Sequence, residues 1–323
     1  WLVTPGRDRR VMLYSHDTFG LGHLRRSRTI AQALTQADPD LAALIITGSP
    51  IAGRFDFPNR VDHVRLPGVV KLPDGDYASH NLGLPIDETV ALRQAIIDAT
   101  ARVFEPDLLI VDKEAWGFRN ELAGTLEAAH RAGMRIVLGI RDVLDEPEAL
   151  AAEWARKGHL EAIERYFDEI WVYGLPEVHE PLAGLGLSEA ALSRVVYTGY
   201  LRRDVPEPEG ETADPYLCVT TGGGGDGARL IDWVLSAYEY DPSLAPRAVL
   251  VYGPFMAAEH RAEFDARAEA LGERITVLRF ASYLERLMAE SAGIIAMGGY
   301  NTFCEILSVD RPAIIAPRVK PRR

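Results

Sequence analysis

The chain has 323 residues, 47% of them apolar and 25% charged, and a formal net charge of -12 at pH 7. This is the composition of an ordinary soluble globular protein, and the length allows two domains of usual size. The acidic balance excludes a protein that wraps a nucleic-acid backbone, which needs a basic footprint, and no apolar run approaches the ~20 residues that span a bilayer.

The chain begins at Trp1, and its polar start, WLVTPGRDRR, has no apolar segment of the kind a secretory signal requires. Residues before Arg9 are set aside as processed or foreign. Cys218 and Cys304 lie far apart in apolar contexts, which suggests reduced thiols of a cytoplasmic protein and neither a disulfide nor a metal site. Basic clusters occur at Arg25-Arg26-Arg28, at Arg202-Arg203 and in the tail from Arg318 to Arg323. They could meet phosphates or an anionic membrane surface; for the last two, solvated charge is the reading adopted.

Strand and helix signals alternate throughout, which predicts an α/β fold with largely parallel sheets. Val11 to Tyr14 forms a first strand, and the stretch DTFGLGHLRRSR, Asp17 to Arg28, supplies a glycine turn and a helix start. Gly20 and Gly22 permit a close backbone approach there. His23 falls near the helix N-terminus, at the strand's carboxyl end, where open α/β sheets bind ligands. Further strands are expected at Leu41 to Thr47 and Val61 to Arg65, then a long irregular loop from Leu66 to Asp87, rich in Pro and Gly. A helix from Glu88 to Val103, a strand from Asp107 to Val111, a helix from Gly117 to Ala132 and a strand from Arg135 to Gly139 follow. Arg141 and Asp142 stand at the end of that last strand. A helix from Pro147 to Tyr166 and strands at Glu169 to Tyr173 and Val195 to Thr198 complete the first half.

The acidic, proline-rich stretch beginning at Pro206 marks a boundary, giving domains 1–205 and 206–323. The second half restarts the pattern. Strands are expected at Tyr216 to Thr221, Ala248 to Tyr252, Ile275 to Leu278, Gly293 to Ala296 and Ala313 to Ala316. Helices are expected at Ala228 to Tyr240, Met256 to Leu271, Tyr283 to Ala289 and Asn301 to Val309.

Two glycine turns in this half could cradle an anion. Gly222 to Gly227, with Gly222, Gly223 and Gly224 leading, precedes a helix whose N-terminus favours negative charge. It lacks the Lys and Ser/Thr of a Walker loop, and a flexible turn without a ligand is an equal reading. The second turn, Gly298-Gly299, leads into Asn301 and Thr302, with Glu305 one helical turn on. A carboxylate matches two vicinal ribose hydroxyls, although a first-turn capping carboxylate fits the spacing as well. For His23 the rival reading is a helix-start residue bonded to backbone. His16 or Asp17 could serve as base or positioner in its place. Asp38-Pro39-Asp40 and Asp74-Gly75-Asp76 read as solvated turn carboxylates and not metal ligands, and Cys304 has no histidine partner in sequence.

These residues resemble a known group. The turn ending in His23 resembles the amino-terminal G-x-G-H loop of the GT-B glycosyltransferases, in the pattern of the lipid II N-acetylglucosaminyltransferase group (glycosyltransferase family 28) and of diacylglycerol glucosyltransferases. The stretch VLRFASYLERLMAESAGIIAMGGYNTFCEILSVDRPAIIAPR, Val277 to Arg318, is similar to the nucleotide-sugar-binding segment of that group, and a bacterial branch of predicted glycosyltransferases is similar over both windows. The resemblance implies two Rossmann-like domains with parallel sheets facing each other across a cleft. The N-terminal domain would hold the acceptor, with Gly20, Gly22, Arg26, Arg141 and Asp142 on that side. The C-terminal domain would hold a nucleotide sugar, a UDP-sugar, through Gly298, Gly299, Asn301, Thr302 and the ribose-binding Glu305, with Phe280 and Ala281 reading the base. His23, with Asp17, would be catalytic. Such enzymes invert configuration and use neither a metal nor a cofactor. The group continues past the position of Arg323 with a glutamine-bearing loop, so the chain is expected to be incomplete at that end.

The expected activity is therefore sugar transfer from a nucleotide sugar to a hydroxyl of a glycan, lipid or small molecule. It would take place in the cytoplasm, with room for peripheral association at the inner face of a membrane and no nucleic-acid partner. The competing expectations are a nucleotide-sugar hydrolase or 2-epimerase on the same fold, and a non-catalytic nucleotide- or glycan-binding protein.

Overall fold

Strands covered on both faces read as unbroken apolar runs, and the first strand, β1 (Arg9–Ser15), is buried from Val11 onward. A computed structural model describes residues 8–16, 22–72, 75–142, 147–205 and 214–318. Asp17, Gly20 and the proline-rich stretch after residue 205 lie outside the described residues. Among those described, no helix is long and apolar enough to cross a membrane.

The chain divides into two units, one holding most residues up to Leu201 and the other those from Arg202 onward. In the first, β1 is followed by α1 (Gly22–Ala37), β2 (Leu41–Thr47), β3 (Val61–Arg65), β4 (Val69–Lys71), β5 (Tyr77–Ser79) and α2 (Ile86–Phe104). Then come β6 (Leu108–Asp112), α3 (Ala123–Arg131), β7 (Arg135–Arg141), α4 (Pro147–Lys157), α5 (His159–Tyr166), β8 (Glu169–Tyr173), α6 (Glu189–Leu192) and β9 (Val195–Tyr197). Seven strands form a parallel sheet in the order β3-β2-β1-β6-β7-β8-β9. Alternate residues of each strand face opposite layers. Met12, Leu109, Val111, Leu138 and Ile170 thus join one core with Ile97 of α2 and Leu126 of α3.

Three expectations change here. The loop from Leu66 to Asp87 contains an antiparallel hairpin, β4 with β5. The helix expected from Gly117 begins only at Ala123, because Arg119 and Asn120 hold φ of 46° and 64°, a left-handed region that an α-helix cannot absorb. The expected helix from Pro147 to Tyr166 breaks at Gly158, whose φ is 66°. Trp116 Nε1 donates to the Gly158 carbonyl at 2.9 Å, so the break also ties α4 and α5 to the segment after β6.

The second unit contains β10 (Tyr216–Thr220), α7 (Ala228–Tyr240), β11 (Arg247–Val251), α8 (Ala258–Leu271) and β12 (Ile275–Leu278). It continues with α9 (Leu284–Glu290), β13 (Gly293–Met297), α10 (Tyr300–Val309) and β14 (Ala313–Ala316). Its parallel sheet has the order β12-β11-β10-β13-β14. One face packs Val219, Leu250 and Met297 against α7 and α8, and the other packs Cys218, Val251 and Ile294 against α9 and Ile306 of α10. Both cysteines are buried and neither forms a disulfide. Burial, then the charge of Glu305, pushes the Cys218 thiol up to about 12, so it behaves as a small apolar residue.

Candidate active site

In an open α/β sheet the strand order reverses at one point, and the connections leave a crevice at the carboxyl ends there. The first unit reverses between β1 and β6, and the second between β10 and β13. The site residues are therefore sought at Ser15 and Asp112 in one unit, and at Thr220 and Met297 in the other.

At the first reversal α1 starts at Gly22 and carries His23 in its first turn. The His23 Nδ1 lies 2.5 Å from Oδ2 of Asp112, the last residue of β6. Arg26, one turn along α1 and only 4% exposed, reaches the same carboxylate with Nη2 at 2.9 Å. Burial works to raise the Asp112 carboxyl, but the charges and hydrogen bonds of Arg26 and His23 outweigh it and hold the group well below the carboxylate range. An ionised carboxylate only accepts, so Nδ1 carries the proton and Nε2 is left as the basic nitrogen. Arg26 Nη2 also lies 2.8 Å from Nδ1. A guanidinium only donates, so its productive partner is the carboxylate.

Around this pair the first unit is densely hydrogen-bonded. His16, just after β1, sets its ring edge-on to His23 at 5.6 Å between centroids. Burial, then the charge of His23, pushes the His16 imidazole down to about 3, so it is neutral at physiological pH. Glu114 is 5% exposed and accepts from Lys157 Nζ at 2.9 Å, with His159 Nε2 at 3.0 Å. Burial opposes its ionisation, yet the His159 hydrogen bond and the charges of Lys113 and Lys157 hold it far below its usual range. Behind them Arg93 (1% exposed) pairs through Nε and Nη2 with both oxygens of the fully buried Glu121, each at 2.6 Å. Tyr14 donates to Glu121 at 2.6 Å and accepts from Phe118 N at 2.9 Å. This network holds the left-handed segment at Arg119 and Asn120 in place, and Phe118 in turn packs against Tyr77 of the hairpin at 4.8 Å.

Of the other acceptor-side expectations, Gly22 opens α1, and Arg26 is a buried partner of Asp112 and not an open surface group. Arg141 is half-buried, while Asp142 is 3% exposed and packs against Gly174, where an added Cβ would come within 2.4 Å of its own. The catalytic partner expected at Asp17 lies outside the described residues. The partner the structure does show, Asp112, is one the sequence reading passed over. Its signal was an acid terminating the apolar run Leu108 to Val111.

At the second reversal the turn after β10 and the turn after β13 lie side by side. Gly224 has φ of 92°, and an added Cβ would sit 2.4 Å from the Tyr252 carbonyl oxygen. That glycine is required by the close approach of two backbones. Gly222 N–H donates to Thr220 Oγ1 at 3.2 Å, Gly223 O accepts from Phe255 N at 2.9 Å, and Gly298 N–H donates to Ala316 O at 2.7 Å. Asn301 and Thr302 are buried in the first turn of α10, and Asn301 Oδ1 accepts from Arg203 Nη2 at 2.7 Å. Glu305 is fully buried, with Oε1 3.9 Å from Nε of Arg203. The ribose-binding role expected of Glu305 would require that carboxylate to be uncovered. Ala281 is buried and Phe280 half-buried after the edge strand β12, beyond β11 from the reversal.

The tail arginine read as solvated charge is a further correction. Arg318, just past β14, donates through Nη1 to both oxygens of Asp226, through Nε to Gly298 O, and through Nη2 to Thr221 O at 3.3 Å. It joins the two glycine turns. No spacing rule pointed to it, because its partners are far away in sequence. Among the described residues no group of three His, Cys, Asp or Glu side chains is arranged to hold a metal ion.

In comparisons with known proteins, no family model matches the chain and no curated protein matches it. Solved structures do. A UGT transferase from Siraitia grosvenorii in complex with UDP is 12% identical, covering 96% of this chain and 80% of its own, with a TM-score of 0.55. MurG of Acinetobacter baumannii is 14% identical over 96% of this chain and 78% of its own, with a TM-score of 0.51. A UDP-N-acetylglucosamine 2-epimerase is 10% identical over 98% and 80%, with a TM-score of 0.58. At such identities the likeness is one of fold. The two parallel Rossmann-like sheets are those of the GT-B fold, which glycosyltransferases share with UDP-N-acetylglucosamine 2-epimerases.

Proposed function

We propose that the chain is a glycosyltransferase that moves a sugar from a UDP-sugar to a hydroxyl of a glycan, lipid or small molecule, with inversion and without a metal. The observation that carries this reading is the His23–Asp112 pair at the first sheet reversal, at 2.5 Å. Asp112, kept ionised by Arg26, fixes the tautomer and orients the ring. Nε2 then takes the acceptor proton as the hydroxyl oxygen attacks the anomeric carbon, and the bond from that carbon to the diphosphate breaks on the opposite side. A positioned base of this kind contributes about 10²–10⁴-fold. Donors aimed at the departing diphosphate, an electrostatic contribution that is usually the larger one, would come from the second unit. The acceptor binds to the first unit near the hairpin, where Leu82 and Leu84 are exposed close in sequence to Lys71. Such a surface suits an acceptor presented at the inner face of a membrane.

The test is a panel of UDP- and GDP-sugars with glycan and lipid acceptors, read by mass shift. Transfer that persists in His23→Ala with unchanged UDP affinity would remove the assignment of the base. A second reading, nucleotide-sugar hydrolysis or 2-epimerisation, is favoured by the fold shared with the 2-epimerase. UDP-N-acetylglucosamine alone distinguishes it, since free sugar with UDP, or an epimer, appears without acceptor. A non-catalytic binding protein would show ligand-induced thermal stabilisation and no product with any pair.

A further inference from the structure

Beside the two glycine turns of the second unit stands a charged side chain that neither turn supplies. The two amides nearest the reversal, Gly222 N–H and Gly298 N–H, are already bonded within the protein to Thr220 Oγ1 and Ala316 O. A charged donor stands beside them. Arg318 stands at the place: Nε is held by the Gly298 carbonyl and Nη2 by the Thr221 carbonyl, so the plane of the guanidinium is fixed across the ends of β10 and β13. A Cβ added at Gly222 would lie 3.4 Å from Nη2, and one at Gly299 would lie 3.5 Å from Nε. Both are van der Waals distances, so the guanidinium packs directly against the two turns.

The remaining edge, Nη1, points at both oxygens of Asp226. The two partners are unequal. Arg318 is anchored by two backbone carbonyls and its side chain is 31% exposed, whereas that of Asp226 is 53% exposed. Exposed ion pairs are weak, and a guanidinium binds phosphate oxygens with the same fork geometry it offers a carboxylate. We infer that Arg318 is the diphosphate-binding residue of the donor site and that Asp226 is an internal stand-in for the diphosphate, displaced from Nη1 when the nucleotide binds. This rests on the nucleotide-sugar reading for the identity of the ligand, while its physical core, an anion exchanging with Asp226 on Arg318, does not.

The experiment measures binding of UDP, inorganic pyrophosphate and uridine to the full chain by calorimetry, in wild type, Arg318→Ala, Arg318→Lys and Asp226→Asn. Expected for Arg318→Ala is UDP and pyrophosphate affinity lower by about 10- to 100-fold, the range for a charge-assisted hydrogen bond, with uridine unchanged. Lysine, lacking the fork, restores part of it. Asp226→Asn removes the competing carboxylate and tightens UDP by up to about 5-fold; it controls for folding, because a variant that merely damaged the turn would weaken binding. Should Arg318→Ala and Asp226→Asn both bind UDP as wild type does, the inference fails and the donor reading stands. Pyrophosphate binding that follows both variants, without any uridine or UDP preference, upholds Arg318 and overturns the nucleotide reading. A wild-type chain that binds neither UDP nor pyrophosphate overturns both.

Discussion

The two units share a topology and differ in what they place at its reversal point. Both sheets run parallel and reverse beside their first strand, β1 in one and β10 in the other. In the first unit the reversal is filled by side chains: His23, Asp112 and Arg26 bonded to one another, with the His16 ring set edge-on to His23. In the second it is filled by backbone, two glycine turns with Arg318 lying across them. A proton acceptor needs an oriented ring and a fixed counter-charge. A polyanion needs room and a donor fork. The same fold supplies either, depending on whether strand ends carry charged side chains or no side chain at all, so function follows the site and not the fold.

The largest expected effect separates the two chemistries. His23→Ala should lower turnover by about 10²–10⁴-fold while UDP affinity stays within error. Asp112→Asn should lower it by about 10²-fold, because the ring loses its anionic partner and Arg26 loses its charge pair. If either change weakened UDP binding as much as turnover, the division of labour between the units would be wrong.

Next is the scaffold behind the pair. Glu121→Ala leaves Arg93 buried without its carboxylate, and the expected loss is about 3–5 kcal/mol of stability in the first unit, read by urea unfolding. UDP binding by the second unit should survive below the transition. A loss of UDP binding together with the first unit's fold would show that the units are not separable.

What could be read from sequence divides along the same line. The parallel strands were legible, since a buried strand such as Leu108 to Val111 writes itself as an apolar run. So was the placement of His23, which follows two nearby glycines and falls in the first turn of the helix after β1. Asp112 was not, because its meaning depends on α1 delivering His23 and Arg26 to the end of β6, a contact 86 residues away from Arg26. Arg318 was misread for the same reason: two of its three partners, Thr221 and Asp226, belong to the turn after β10, and a basic tail looks solvated unless that proximity is known. The left-handed segment at Arg119 and Asn120 escaped because Arg does not announce positive φ and a lone Asn, though it tolerates that region better than most residues, does not mark it by itself; it is the buried Arg93–Glu121 pair that holds it.

A smaller effect tests why the second unit uses glycine. Gly224→Ala places a methyl group 2.4 Å from the Tyr252 carbonyl at φ of 92°, and should cost about 2–4 kcal/mol through strain and overpacking. Thermal unfolding would measure it. A neutral substitution would mean that the turn can open without cost, and that its glycines are kept for a ligand instead of for packing.

The smallest effect belongs to His16, and it is a matter of pH. In an unfolded chain an imidazole titrates near ~6.5; in the folded first unit burial, then the His23 charge, pushes His16 down to about 3. Between those values the unfolded state binds a proton that the folded state does not, so stability falls as pH is lowered through the window. Asp112 and Glu114 act only lower down. Their folded values are depressed, so the stability they contribute is full above the unfolded carboxylate range near ~4 and is lost as pH falls below it. From pH ~6.5 to ~4.5, then, His16 is isolated from those two carboxylates. At 1.36 kcal/mol per unit, and discounting for its partial exposure, it should remove about 1–2 kcal/mol there. Urea unfolding at both ends of the window should show His16→Asn losing that much less than wild type. The second unit, whose single histidine is His260 on α8, has no imidazole at its reversal and should show no comparable difference. Parallel losses in wild type and variant would mean that His16 takes up its proton in the folded state, and that the ring beside His23 carries charge when the base is at work.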